Sequence, residues 1–230
     1  MNYGLKAYFG GVGDWLMWST LPQRMIELGH TVSLCRDAYF RNDELRQLIL
    51  LDPNIIGTTK EWTLGDIPDN PYVNKCENFI GNAEMMFGLE QKNTLPIIYY
   101  KPKEIAGVRG CLEISALSHK YSEKIVLENI NKNISGFKKD YIQLVSEYQF
   151  NPIRVSGVKQ VKISSIFELC DYIYSCENFI TLQSGAHMLA GAIMREKPDM
   201  QITCLIPEDA WGWTMEFKKF ILPNVNYIKS

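Results

Sequence analysis

The sequence predicts an α/β protein of two consecutive lobes, each a mostly parallel sheet flanked by helices. Three observations predict it. Runs of β-prone residues alternate with helical periodicity along the chain, strand-to-helix turns of small residues lie near both ends (10–14 and 183–187), and 230 residues suit one large domain or two small ones. The placement of the turns favours two lobes, 1–105 and 106–230, each with room for a minimal sheet and little for insertions.

In the first lobe, Leu5–Phe9 is a short β-prone run that ends in Gly10-Gly11-Val12-Gly13. Asp14 opens a helical pattern in which Trp15, Trp18, Leu21, Met25 and Leu28 recur on one buried stripe, with Gly29 just past its end. Pro22 removes a backbone donor inside this pattern, so the helix is kinked or starts late. Thr31–Cys35 is the next strand and completes a βαβ unit. A short helix over Asp43–Leu51, capped by Asn42 or Asp43, a strand at Ile55-Ile56, a loop over Gly57–Tyr72 and a helix over Asn74–Leu89 follow. Leu95–Tyr100 is apolar and aromatic, and Lys101-Pro102-Lys103-Glu104 is the best linker candidate.

The second lobe repeats the rhythm. Val108–Ile114 reads as strand, Ser118–Ser122 as a polar turn, Glu123–Asn131 as helix and Tyr141–Val145 as strand. Ile166–Tyr174 is helix, Asn178–Leu182 strand, Ser184–Met194 helix, Gln201–Ile206 strand and Thr214–Phe220 a closing helix. The pentapeptide Cys-Glu-Asn-Phe-Ile occurs at 76–80 and again at 176–180, but the first copy falls in a helix and the second enters a strand, which marks coincidence rather than duplication.

Composition narrows the function. With 46% hydrophobic and 22% charged residues the chain is globular, not disordered, collagen-like or coiled coil. Its net charge of −2 argues against a dedicated nucleic-acid module, although a local patch can still meet a nucleic acid. The two lobes carry −3 and +1, which suits an anion held by the second. Six scattered cysteines without a C-x-x-C pair, and three histidines far from them, read as reduced core thiols rather than a zinc site or disulfide framework, and so point to the cytoplasm. The amino terminus lacks a signal-peptide pattern and no run of about 18 apolar residues appears, so no membrane insertion is expected.

Two turns hold the candidate chemistry. In Gly10-Gly11-Val12-Gly13-Asp14 the glycines, Gly11 and Gly13 among them, let a ligand approach a helix start. A dinucleotide fingerprint would need a third glycine where Leu16 stands, and Asp14 would set a carboxylate where pyrophosphate belongs; only Asp37, past the second strand, imitates a ribose-binding acid. Asp14 makes better sense as a general base kept ionised by the helix end, or as a plain helix cap. In Gln183-Ser184-Gly185-Ala186-His187 a strand delivers a polar turn to a helix of small residues, whose free N–H groups and Ser184 hydroxyl suit phosphate oxygens, with a serine cap as the plainer alternative. Ser115, Ser118, His119 and Lys120, in the first turn of the second lobe, also suit a diphosphate.

Gly13-Asp14 with Ser19-Thr20-Leu21-Pro22 and Leu28-Gly29-His30, together with Ser184-Gly185 running into Leu189-Ala190-Gly191-Ala192, resembles the bacterial heptosyltransferase-like family of glycosyltransferases with the B-type fold. The helix Ile166-Phe167-Glu168-Leu169-Cys170 is similar to the segment that family places before its second motif, and the matches cover about a fifth of the chain. His187 stands one position before the family histidine, where this chain has Met188. The resemblance implies two Rossmann-like lobes, the first for the acceptor and the second for a nucleotide-activated sugar. It implies an inverting, metal-independent transfer with no cofactor beyond the nucleotide-sugar co-substrate. Asp14 would be the catalytic base. The substrate-binding residues would be Gly11, Gly13, Ser115, His119, Lys120, Gln183, Ser184, Gly185 and His187. The acceptor would be a glycan such as lipopolysaccharide, or a hydroxymethylated DNA base. For DNA, the pairs Lys138-Lys139, Lys159 with Lys162, and Lys218-Lys219 would supply the contact, and a compact asparagine- and lysine-bearing chain would suit a bacteriophage enzyme. A non-catalytic nucleotide or nucleotide-sugar binder and a nicotinamide-dependent oxidoreductase are the competing functions.

Overall fold

A computed structural model describes residues 1–7, 9–60, 75–115, 121–146, 153–218 and 220–230. The chain divides into two compact units, Met1–Tyr100 with Thr214–Pro223, and Lys101–Trp213 with Asn224–Ser230. The segment 214–223, read from sequence as part of the second lobe, thus falls with the first unit, where Lys218 Nζ donates to the Cys76 carbonyl at 2.9 Å.

The first unit begins with β1 (Asn2–Leu5), α1 (Val12–Leu16), α2 (Leu21–Glu27) and β2 (Thr31–Cys35). The single helix expected after Asp14 is two: α1 ends at Leu16, Pro22 takes a first-turn position of α2 where its missing donor costs nothing, and Gly29 closes α2 at φ +78°. Trp15, Trp18, Leu21 and Met25 are buried as the stripe required, whereas Leu28 is 57% exposed, because it is the cap that follows the last residue of α2. Next come α3 (Asp43–Leu50), β3 (Ile55–Thr59) and α4 (Phe79–Met86). Asn42 caps α3 by accepting Leu45 N–H at 2.9 Å, and Asn78 caps α4 by accepting from Ile80 and Gly81. The strands form a parallel sheet in the order β1-β2-β3, with Leu5 opposite Leu34 and Val32 opposite Ile55.

The second unit contains β4 (Gly110–Glu113), α5 (Glu123–Asn133), β5 (Tyr141–Ser146), β6 (Lys159–Ile163), α6 (Ile166–Ser175), β7 (Asn178–Leu182), α7 (Gly185–Met194), β8 (Gln201–Ile206), α8 (Glu208–Phe217) and β9 (Val225–Lys229). Two of these strands, β6 and β9, do not show in the sequence pattern, and α8 starts six residues before the expected closing helix at Thr214. All six strands are parallel in the order β6-β5-β4-β7-β8-β9, so successive strands step outward from β4 on one side and from β7 on the other. This is the doubly wound order whose switch point, between the carboxyl ends of β4 and β7, is where open α/β sheets bind ligands. Residues Ala186–Met194 of α7 are all buried, as expected for a helix apolar on every side. Leu112, Ile114, Val126, Ile130, Ile180 and Leu205 build the core between sheet and helices.

All six cysteines are buried free thiols, and among the described residues no group of three or more His, Cys, Asp or Glu is placed to hold a metal ion. Among the same residues no helix is long and apolar enough to cross a membrane.

Candidate functional site

In the first unit the turn after β1 is locked against the loop after β2. Gly10 has φ +66°, and a Cβ there would lie 2.3 Å from Tyr39 Cδ1 and 2.8 Å from the Tyr39 carbonyl oxygen, so only glycine is accommodated. Gly10 accepts the Arg41 N–H at 2.9 Å, Trp15 Nε1 donates to the Tyr39 carbonyl at 3.0 Å, and the Trp15 and Phe40 rings stack at 4.2 Å. α1 starts at Val12 with Gly11 as its cap, which puts Asp14 third in the helix rather than at its start. From there the half-buried Asp14 reaches back, Oδ2 accepting the Gly11 N–H at 3.1 Å, the one side-chain half of a capping box that a glycine cap permits. A Cβ on Gly11 would meet Asp14 Oδ2 at 2.8 Å and the Arg41 guanidinium at 3.8 Å, so carboxylate and cation converge on this turn. Gly13 is buried within α1.

At the carboxyl ends of β2 and β3 a recess of about 340 Å³ is lined by Arg36, Tyr39, Phe40, Asp43, Arg46 and Thr58, among others. Tyr39 is exposed, as are both arginines, and neither guanidinium has a carboxylate partner among the described residues. Asp37 pairs instead with Lys6 at 2.5 Å, whose hydrogen bond lowers its pKa. Sequence reasoning missed this recess because its two arginines sit ten residues apart, one just past β2 and one on α3, with no motif to join them.

In the second unit β4 delivers Glu113 and Ser115, and β7 delivers Gln183 and Ser184, to the switch point. Gln183 is buried, and its N–H is shared between the Tyr121 hydroxyl and the Leu205 carbonyl, each at 3.0 Å. Ser184 occupies the cap position of α7, yet its side chain makes no cap hydrogen bond; its buried hydroxyl has no hydrogen-bond partner among the described residues. The plain-cap reading of Ser184 therefore fails at the hydroxyl, which is left for another acceptor. Gly185 is the half-buried first residue of α7.

Glu113 escaped sequence analysis. A carboxylate in the apolar run Gly-Cys-Leu-Glu-Ile of a central parallel strand is the signal that could have found it. It is 4% exposed; Ser115 Oγ donates to Oε1, and Thr181 Oγ1 lies 3.4 Å from Oε2 with its one hydrogen shared with the Leu182 carbonyl at 3.1 Å. Burial raises its pKa from 4.5 to about 7, against the opposing pull of the Ser115, Thr181 and Ser184 hydroxyls. Ser184 lies close enough to ease the charge but outside hydrogen-bond geometry.

His187, expected to meet substrate, is placed elsewhere: it is 0% exposed, with Nε2 3.0 Å from the Tyr227 hydroxyl and the two rings edge to face. The small residues of α7 let it sink into the core and face β9. Burial depresses its pKa to about 3, so it is neutral. His119 and Lys120, with Ser118, lie outside the described residues. The lysine patch is dispersed: Lys159 and Lys162 are three residues apart on β6 and so point to opposite sides of the sheet, Lys138 Nζ donates to the Ser156 carbonyl, Lys218 belongs to the first unit, and Lys219 lies outside the described residues.

No protein-family model and no curated protein matches the sequence. Solved structures do match. A glycosyl transferase of family 9 from Veillonella parvula superposes with a TM-score of 0.64 at 8% identity, over 100% of this chain and 85% of its own. The dodecameric iron-containing heptosyltransferase TibC in complex with ADP-D-β-D-heptose gives 0.61 at 14% identity, over 97% and 61%. TibC from enterotoxigenic E. coli gives 0.58 at 15% identity, over 89% and 57%, so this chain spans less than two thirds of TibC. The E. coli ADP-heptose lipopolysaccharide heptosyltransferase II gives 0.59 at 9% identity, over 99% and 90%. At these identities the likeness is one of architecture: two units of parallel sheet and helices, the fold of the B-type glycosyltransferases.

Proposed function

We propose that the chain is a metal-independent, inverting glycosyltransferase that moves a sugar from a nucleotide-sugar donor to an acceptor hydroxyl. The observation that carries the reading is the switch point of the second sheet, where the unspent Ser184 hydroxyl and the start of α7 meet in a fold shared with glycosyltransferases. A diphosphate accepts hydrogen bonds from Ser184 and the first N–H groups of α7, whose positive end compensates the charge that grows as the sugar bond breaks. No cofactor is required, and Lys120 and His119 are assigned to the same anion, while the Ser115 hydroxyl donates to Glu113. Asp14 takes the proton of the acceptor hydroxyl as that oxygen attacks the anomeric carbon. The Gly11 N–H holds its carboxylate in place, as positioned base catalysis requires.

The Arg36 and Arg46 recess suits an acceptor that bears carboxylate or phosphate, a property of lipopolysaccharide-type glycans and of hydroxymethylated DNA alike. With the second-unit lysines dispersed, this recess is the better anchor for either.

A second reading, a nucleotide-sugar binder without turnover, is favoured by the hydrogen bond from the Gly11 N–H to Asp14, which accounts for Asp14 as a structural residue. Asp14→Asn separates the two, because an amide oxygen still accepts the Gly11 N–H but is no base. Release of nucleoside diphosphate from a nucleotide sugar should collapse by at least about 100-fold while nucleotide affinity holds. Unchanged turnover removes Asp14 as the base, and absence of turnover in the parent chain favours the binder. The nicotinamide reading lacks the third glycine of its fingerprint, where Leu16 stands, and its ribose-binding acid, the exposed Asp37, is paired with Lys6.

A further inference from the structure

The recess at the carboxyl ends of β2 and β3 gathers an aromatic plane and two cations in one cavity. Tyr39 is 56% exposed, yet its ring is held in place. Its Cδ1 and Cε1 atoms fill the space of a Cβ on Gly10, at 2.3 and 2.9 Å, and its carbonyl accepts from Trp15 Nε1. Phe40, next in the chain, is stacked on Trp15. The arginines stand on regular elements. The Arg36 N–H donates to the Thr59 carbonyl at 2.8 Å, which continues the pairing of β2 with β3, and Arg46 lies within α3. Asp37, beside Arg36, has its charge compensated by Lys6.

A glycan brings hydroxyls that need acceptors as well as donors once they leave water, and among the lining side chains only Asp43, Thr58 and the Tyr39 hydroxyl offer oxygen acceptors. A nucleotide asks for what the recess has in excess: a fixed flat ring for its base and guanidinium forks for its phosphates. Asp43, the one carboxylate in the lining, suits an exocyclic amino group such as that of cytosine. We propose that this recess seats an unpaired nucleotide of a nucleic acid, with the base stacked on Tyr39 and the phosphates held by Arg36 and Arg46, so that the acceptor hydroxyl is carried by a nucleic acid rather than a glycan. This rests on the reading of the recess as the acceptor anchor. The base must be unpaired, because a ring inside a duplex has no free face to stack. The chain's net charge of −2 does not oppose this, since two guanidinia without a carboxylate partner among the described residues concentrate positive potential in one place.

The test is fluorescence anisotropy of labelled oligo-dC and oligo-rC, each of about 12 residues, with the full chain at about 50 to 200 mM salt. An abasic oligomer with the same phosphates, the duplex of oligo-dC with oligo-dG, and oligogalacturonate as a carboxylate-bearing glycan are the comparisons. The single-stranded oligomers should bind, and the duplex at least several-fold more weakly. Tyr39→Leu, which still packs on Gly10, should weaken oligo-dC binding by about 5- to 150-fold and leave the abasic oligomer unchanged, whereas Tyr39→Phe should bind as the parent does. Arg36→Ala and Arg46→Ala should each reduce the slope of log affinity against log salt by about 0.7. Single-stranded oligomers that do not bind, or a Tyr39→Leu loss that is nil or the same on the abasic oligomer, overturn the proposal. Transfer from ADP-, UDP-, GDP- or TDP-glucose to oligogalacturonate, and not to oligo-dC carrying one 5-hydroxymethylcytosine, overturns it while the glycosyltransferase reading stands. Base-dependent binding through Tyr39 with no transfer to either acceptor leaves the nucleotide recess standing and overturns its role as the acceptor anchor.

Discussion

Replacing His187 with glutamine tests whether this histidine is a core group. Its ring is 0% exposed and its pKa is lowered by burial from 6.5 to about 3. Between those values the unfolded chain holds a proton on the ring that the folded chain refuses. Stability from this group is therefore complete above pH 6.5 and is lost as the pH falls toward 3. At about 1.4 kcal/mol per pH unit the loss reaches roughly 5 kcal/mol at the acid end, comparable with the whole stability of a small domain. Glutamine keeps a hydrogen-bonding group within reach of Tyr227 and cannot titrate. Urea denaturation followed by circular dichroism at pH 7, 6, 5 and 4 should show the variant gaining on the parent by about 1.4 kcal/mol per unit below pH 6. Glu113 acts in the opposite sense, its stabilising effect complete below pH 4.5 and lost as the pH rises through about 7, but it is present in both proteins and cancels in the difference. A difference that stays constant from pH 7 to 4 refutes the buried neutral histidine and returns His187 to the groups open to a ligand.

Gly10→Ala must place a Cβ at φ +66° against Tyr39, so we expect a loss of about 2–4 kcal/mol in denaturation; unchanged stability would show that the turn is not locked by this loop. Asp14→Ala should lose about 0.5–2 kcal/mol of stability through the lost hydrogen bond from the Gly11 N–H, whereas Asp14→Asn should lose little, and equal stabilities would discount that hydrogen bond. Arg36→Ala and Arg46→Ala should each raise the KM of an anionic acceptor about tenfold with kcat nearly constant, an effect that fades at high salt. An unaltered KM in both would remove the recess from acceptor binding.

Much of the fold was legible because local chemistry and tertiary structure agree. Thr31–Cys35, Asn178–Leu182 and Gln201–Ile206 are strands at the bounds the sequence suggests, since apolar runs of central parallel strands are buried on both faces. β6 was hidden because an edge strand with three polar residues in five shows no such run. β1 lies at Asn2–Leu5 rather than Leu5–Phe9, because pairing with Thr31–Leu34 sets its register. Ser184 and Asp14 were legible as polar residues at glycine turns. The burial of His187 was not, because an alternating helix of small residues does not say which face meets a neighbouring strand.

By itself, then, the sequence determined the alternation of strands and helices, the two glycine turns, and the residue types that can hold an anion or take a proton. Tertiary structure decided what those residues face. The repeated pentapeptide shows why: Asn78 caps α4 while Asn178 starts β7, opposite Gly110 and Gln201. Five residues prefer neither state strongly, so the partners each copy meets select it. The same holds for Glu113, whose charge is set by the hydroxyls and the dry interior that β4 and β7 bring around it from positions 68 residues apart.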